Sequence, residues 1–180
     1  MCRIVTAYTR VAKCLHWAMA LLIIALLIVG HVMGALPKGE WRSGFYDIHK
    51  AVGVVVFALL IGRLVWRLIK GAPQLPAAMG RLERLAAQGG HVLLYILMAA
   101  MPLSGFAMSQ TGGHPVAMAG LALPVVFAKD EALSKLFQNI HGTLGWGLVV
   151  LLLVHVGAAL RHHFVLKDDV LRRMLPDRAG

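Results

Sequence analysis

Residues 139–164 read NIHGTLGWGLVVLLLVHVGAALRHHF. The middle of this run is a span through lipid, which takes about 20 mostly apolar residues. Yet His141 and His155 lie inside it, and His162 and His163 end it. Ionisable side chains are costly in a bilayer and mark functional paths. Fourteen helical residues rise about 21 Å and stop about 40° short of four full turns. His141 and His155 therefore share one helix face near opposite leaflets, and His162 continues that seam.

The rest of the chain agrees with a membrane setting. Of its 180 residues, 59% are hydrophobic and 14% charged, and the mean hydropathy is +0.74. That is too apolar for an ordinary soluble domain. The net charge of +10 punctuates the apolar segments. It reads as topology signals and an attraction to anionic lipid, not as a nucleic-acid surface. Cys2 and Cys14 do not make a disulfide framework, and no C-x-x-C-H motif for covalent haem is present.

Four spans are expected, at about residues 14–36, 48–69, 90–110 and 136–160, giving an all-α, integral membrane four-helix bundle in a single domain over 1–180. The first is read as a retained span and not a secretion signal. Cys14 to Pro37 is 24 residues without Lys, Arg, Asp or Glu, longer than a signal core. The segment TGGHPVAMAGLALPVVFAKDE, residues 111–131, is tempting as a fifth span. Its Gly112, Gly113, Pro115, Gly120 and Pro124 argue instead for a loop at the membrane interface. With four spans, thirteen Lys and Arg fall on one side, including Arg3, Arg10, Lys13 and Arg178, and five on the other. The positive-inside rule then puts both termini in the cytoplasm. The tail from Lys167 is expected to form a short helix there.

The remaining histidines sort by depth. His16 and His91 open spans one and three near the cytoplasmic side, and His49 opens span two near the outer side. His155 pairs by depth with His16 or His91, and His141 with His49. Two such pairs suit two b-type haems, since bundle cores hold cofactors between facing helices. Small residues stand one turn from these histidines: Gly53 after His49, Gly145 after His141, Ala20 after His16 and Ala159 after His155. A close macrocycle needs such room. Arg63, fourteen residues after His49, faces the same interior and suits a haem propionate. His31 and His114 read as structural or interfacial, and His163 as solvated.

The motifs KCLHW (13–17), IHKAVGV (48–54), GRLVWRL (62–68), HVLLYILMAAMPLSG (91–105) and HVGAALRHHFVLKDDVLRRMLP (155–176) occur in that order. With them the sequence resembles the bacterial cytochrome b561 family of small dihaem membrane cytochromes, over nearly its whole length. The resemblance implies iron ligands at His16 with His155 for an inner haem, and at His49 with His141 for an outer one. It makes His91 a supporting or quinone-side group and places His162 near a cytoplasmic-side quinone pocket. It implies the bacterial inner membrane, and ubiquinone from the quinone pool as electron acceptor. The chain departs at Gly142, where members commonly have Glu, and around His114, where they often carry an aromatic.

Three functions follow as expectations. The first is a superoxide:ubiquinone oxidoreductase, in which Lys50 and Lys135 help draw a small anionic donor to the outer haem. Lys38, Arg42 and Lys129 share that side with Glu40, Asp47, Asp130 and Glu131, a formal balance of +1, so steering must be local. The second is a haem-bearing anchor subunit for a dehydrogenase or hydrogenase partner. The third is a histidine-based metal or proton transporter, against which stands the lack of Asp and Glu in every expected span.

Overall fold

A computed structural model describes residues 7–76, 79–118 and 120–176. Cys2, Arg3 and Arg178 of the counts above lie outside them, as do the two chain ends. Four long helices dominate: α1 (Arg10–Ala35), α2 (Glu40–Lys70), α3 (Arg81–Thr111) and α4 (Glu131–Arg161). Each is long and apolar enough to cross a membrane. In lipid every backbone N–H and C=O must be satisfied internally, which a continuous helix does.

The helices outrun the expected spans, most clearly at the start of α2 and α3. A count of apolar residues finds the stretch that fits in hydrocarbon; the hydrogen-bond ladder continues past it into polar sequence. Thr9 caps α1, its Oγ1 accepting from the Ala12 N–H at 3.2 Å. Asp130 caps α4 through the Leu133 N–H at 3.0 Å. Helix α2 ends at Gly71, whose φ of 72° an L side chain would resist.

Helix α1 packs on α2, α2 on α3, and α3 most extensively on α4. Met19, Ile23, Val56, Leu60, Leu94 and Leu148 form the buried core. Leu148 lies midway between His141 and His155, so the dry centre separates two histidine layers. Leu21, Ile28, Leu68 and Leu153 are among the many large apolar side chains left outward, as a lipid-facing surface requires.

The segment after α3 is a loop carrying a hairpin of two short strands, β1 (Ala117–Met118) and β2 (Leu121–Ala122), paired antiparallel. Gln110 organises it: its Nε2 donates to Pro124 O at 2.7 Å, and its Oε1 accepts from the Val126 and Phe127 N–H groups at 2.7 and 3.0 Å.

The tail corrects an expectation. After α4 come a π-helical turn (His162–Leu166) and a single 3-10 turn (Arg172–Met174), not a regular helix. Lys167, at φ 54°, breaks the helical path. Asp168 then accepts from His162 Nδ1 at 2.6 Å and from the Val170 N–H at 3.1 Å. The segment is a strap across the bundle end. Trp17 Nε1 donates to Met174 O at 2.9 Å, and Arg173 Nη1 to Gln74 O at 2.6 Å.

Burial alone would raise the Asp168 carboxyl. The bonds from His162 and Val170, with the charges of His162 and Arg173, outweigh it and hold that carboxyl below the usual carboxylate range. A depressed carboxyl adds stability above its unfolded value and loses it as pH falls through the folded one. Asp168→Asn is therefore expected to weaken the strap by about 1 kcal/mol near neutral pH. Faster amide exchange over 168–174, with unchanged exchange in the middle of α4, is the expected reading.

Candidate functional site

The bundle brings the histidines together in two groups. At one end His16 of α1, His91 of α3 and His155 of α4 converge. The His16 and His155 ring centres are 6.3 Å apart, and those of His91 and His155 are 5.5 Å apart. At the other end His49 of α2 faces His141 of α4, also at 6.3 Å. A metal–imidazole bond is about 2 Å long. Two such bonds in line, plus the radii of two five-membered rings, separate the ring centres by about 6 Å. Both 6.3 Å pairs fit two imidazoles about one iron, and the 5.5 Å pair is short for it.

His141 is the best held of these rings. Its Nδ1 lies 3.1 Å from Met101 O and 3.0 Å from Ser104 Oγ, while the Ser104 hydroxyl donates to Met101 O at 2.8 Å. A proton on Nδ1 satisfies these acceptors and leaves Nε2 as the ligating lone pair, the usual arrangement of a metal-bound histidine. The Nδ1 of His49 is buried and has no hydrogen-bond partner among the described residues. That ring is positioned by packing: a Cβ at Gly30 would come within 3.3 Å of its Cε1. A Cβ at Gly105 would come within 3.0 Å of His141 Cε1.

Sequence patterns do not point to Gly30, Gly105 or Met101, and to Ser104 only as one of two hydroxyls between Val92 and Met108. The glycines one turn from His49 and His141 behave differently. A Cβ at Gly53 would meet nothing within 4 Å, and one at Gly145 only Met101 Cε at 3.8 Å. Gly53 borders open space and Gly145 is buried against Met101; neither backs a histidine ring. The spacing of the paired rings fits a haem at each end, and at the His49 end the Nε2 of His141 and the space beside Gly53 agree with it.

Arg63 is half-buried at the His16 end, where its Nη1 donates to Ala12 O at 3.1 Å. His162 is buried, bonded to Asp168, with its Nε2 3.6 Å from Glu83 Oε1; Arg161 reaches the same oxygen at 2.8 Å. His31 donates from its Nδ1 to Leu27 O at 2.8 Å, and its ring packs edge-on against Trp146. The expectation for His163 fails. It is half-buried against Phe164, and among the described residues its buried Nδ1 has no hydrogen-bond partner.

At the His49 end Lys50 is ion-paired to Asp47 at 2.8 Å and donates to Pro115 O at 3.2 Å, clasping the hairpin loop to α2. Lys135 is exposed. Among the described residues, no group of three or more His, Cys, Asp or Glu is placed to hold a metal ion by itself.

Comparison with known proteins agrees with this geometry. The family profile for prokaryotic cytochrome b561 matches residues 7–177. "Cytochrome b561 homolog 2" of Escherichia coli (strain K12) is 32% identical over 170 residues, covering 93% of this chain and 90% of that protein. "Cytochrome b562" of Cereibacter sphaeroides is 31% identical over 176 residues, 95% of this chain and 96% of the other. A Yersinia pestis protein named "Probable superoxide oxidase CybB" is 27% identical over 166 residues, 92% and 94% of the two chains. With the profile covering nearly its whole length and four helices able to span a bilayer, the chain belongs to the prokaryotic cytochrome b561 family of multi-pass membrane proteins that bind haem b.

Proposed function

We propose that the chain carries electrons across the bacterial inner membrane, from superoxide at the outer face to ubiquinone, through two b-type haems. The observation behind this reading is the equal 6.3 Å spacing of two histidine pairs at opposite ends of one bundle. His16 with His155 would hold the inner haem, and His49 with His141 the outer one. Haem, when bound, supplies the one-electron redox chemistry. The chain's own residues do the rest. Met101 and Ser104 fix the His141 tautomer. The apolar core around Leu60 and Leu148 keeps water out between the two layers. His91, 5.5 Å from His155, supports the inner pair. The bias of Lys and Arg supports cytoplasmic termini, and the name of the Yersinia pestis relative supports superoxide as donor.

The test is haem quantification on purified protein, followed by pulses of superoxide with and without a soluble ubiquinone. Two haems per chain are expected, reduced by the pulse and reoxidised by the quinone. No reduction at any ionic strength would reject superoxide and favour the anchor-subunit reading, in which a dehydrogenase or hydrogenase co-purifies.

Two further outcomes follow. Arg63 would sit beside the inner haem's propionates. Arg63→Leu removes a positive charge there, so it is expected to keep both haems and lower the inner midpoint potential by on the order of 50–100 mV. An unchanged redox titration would reject the pairing.

Steering at the outer face should rest more on Lys135 than on Lys50, whose charge Asp47 already offsets at 2.8 Å. Reversing one exposed charge about 10 Å from an encounter changes the rate roughly twofold at low salt. Lys135→Glu is therefore expected to slow haem reduction by about that factor, with the difference vanishing in high salt. Equal rates at low salt would remove the steering role.

A further inference from the structure

The structure assigns an anionic phospholipid headgroup to a cleft where the start of α1 meets the end of α2. The cleft is shallow, with about 20 Å³ of free space, and opens outward. Arg63, Arg67 and Lys70 line it from α2, Thr9 and Ala12 from the cap and first turn of α1, and Trp66 and Tyr95 supply aromatic walls. Positions 63, 67 and 70 are four and seven residues apart, so the three cations form one stripe on α2. Among the described residues no Asp or Glu lines the cleft, and no carboxylate lies within 4.0 Å of these cations.

Arg63 is turned inward to Ala12 O. The other two rest on aromatic faces, Arg67 5.9 Å from the Tyr95 ring centre and Lys70 5.7 Å from that of Trp66. A cation held over a ring keeps its charge available to an anion. Trp66 is itself fixed, its Nε1 donating to Thr9 Oγ1 at 2.9 Å.

The shared chemistry is that of a phosphate group, and the surroundings favour one carried by lipid. On the same turns of α2, Leu68 and Ile69 are 85% and 66% exposed and need acyl chains to cover them. Trp and Tyr at the end of a span mark the headgroup level. Basic pockets between spanning helices bind anionic headgroups, and each nearby Lys or Arg adds to that attraction. A phosphodiester lying over Arg67 and Lys70 would leave its acyl chains free to cover Leu68 and Ile69. The inference requires only that the chain spans a membrane; it is independent of the electron donor and acceptor.

The test is native mass spectrometry of the purified holoprotein, titrated with phosphatidylglycerol and, separately, with phosphatidylcholine of the same acyl chains. The wild type is expected to retain phosphatidylglycerol about tenfold better. The double variant Arg67→Gln with Lys70→Gln should bring that preference to within about twofold and leave the visible haem spectrum unchanged. Lys70→Gln alone, at an exposed position, should weaken the preference about threefold, and it stands in if the double variant does not fold. Equal retention of the two lipids by the wild type, or an unchanged preference in Lys70→Gln, would overturn the assignment. Loss of haem from the double variant would mean that the cations serve the propionates instead. Release of the bound lipid by millimolar inorganic phosphate would make the site one for free phosphate.

Discussion

Replacing His141 by alanine is expected to leave one haem per chain in place of two, halving the reduced b-type absorbance while the bundle persists. His141 and His49 face each other at 6.3 Å, and no other described histidine ring is paired with either. The variant thus removes one end of the only pair at that layer. His16 and His155, at the other end, keep their own spacing of 6.3 Å. The mirror experiment separates His16 from His91. His16→Ala should remove the inner haem, and His91→Ala should keep both, because 5.5 Å is short for two ligand bonds in line. Haem-to-protein ratios of the three variants decide the matter. Two haems retained in His16→Ala with one lost in His91→Ala would reverse the assignment.

Gly105→Val should be nearly as damaging, although Gly105 ligates nothing. Its Cβ would lie 3.0 Å from His141 Cε1 and 3.3 Å from Nδ1, and the two γ-methyls would press further on the ring. The ring cannot retreat freely, because its Nδ1 is held at 3.1 Å by Met101 O and at 3.0 Å by Ser104. Overpacking of this kind costs about 1–3 kcal/mol, and here it falls on the orientation of one imidazole. The expected result is a lost or spectroscopically altered outer haem beside an unchanged inner one. Gly105→Ala should act in the same direction but more weakly, and Ser104→Ala should shift the outer potential with both haems kept. A Gly105→Val protein with both haem signals unaltered would show that His141 is not the ligand at that layer.

Lys50 shows where sequence reasoning stops short. From the sequence it is a cation beside His49, suited to attracting an anion. In the fold it is committed to Asp47 and to Pro115 O, 65 residues away, which no local pattern foretells. His162 is similar: the seam from His141 and His155 predicts an inward ring. Its bond to Asp168 depends on the left-handed turn at Lys167 and the strap beyond it.

The sequence by itself determined the four spans, the all-α class and the sorting of His16, His49, His91, His141 and His155 by depth. Lipid forces this, since a segment of given length and hydropathy has few ways to satisfy its backbone. Periodicity along one helix then fixes which residues share its face. Depth and periodicity left His16 and His91 equal; the tertiary structure puts His16 at 6.3 Å from His155, and shows that Gly30 and Gly105 make room for the His49 and His141 rings. It also decided that Ser104 and Met101 orient His141. These are relations between helices, set by how each helix is rotated against its neighbour. A rotation of a few tens of degrees leaves every one-helix pattern unchanged and still moves a side chain by several ångströms.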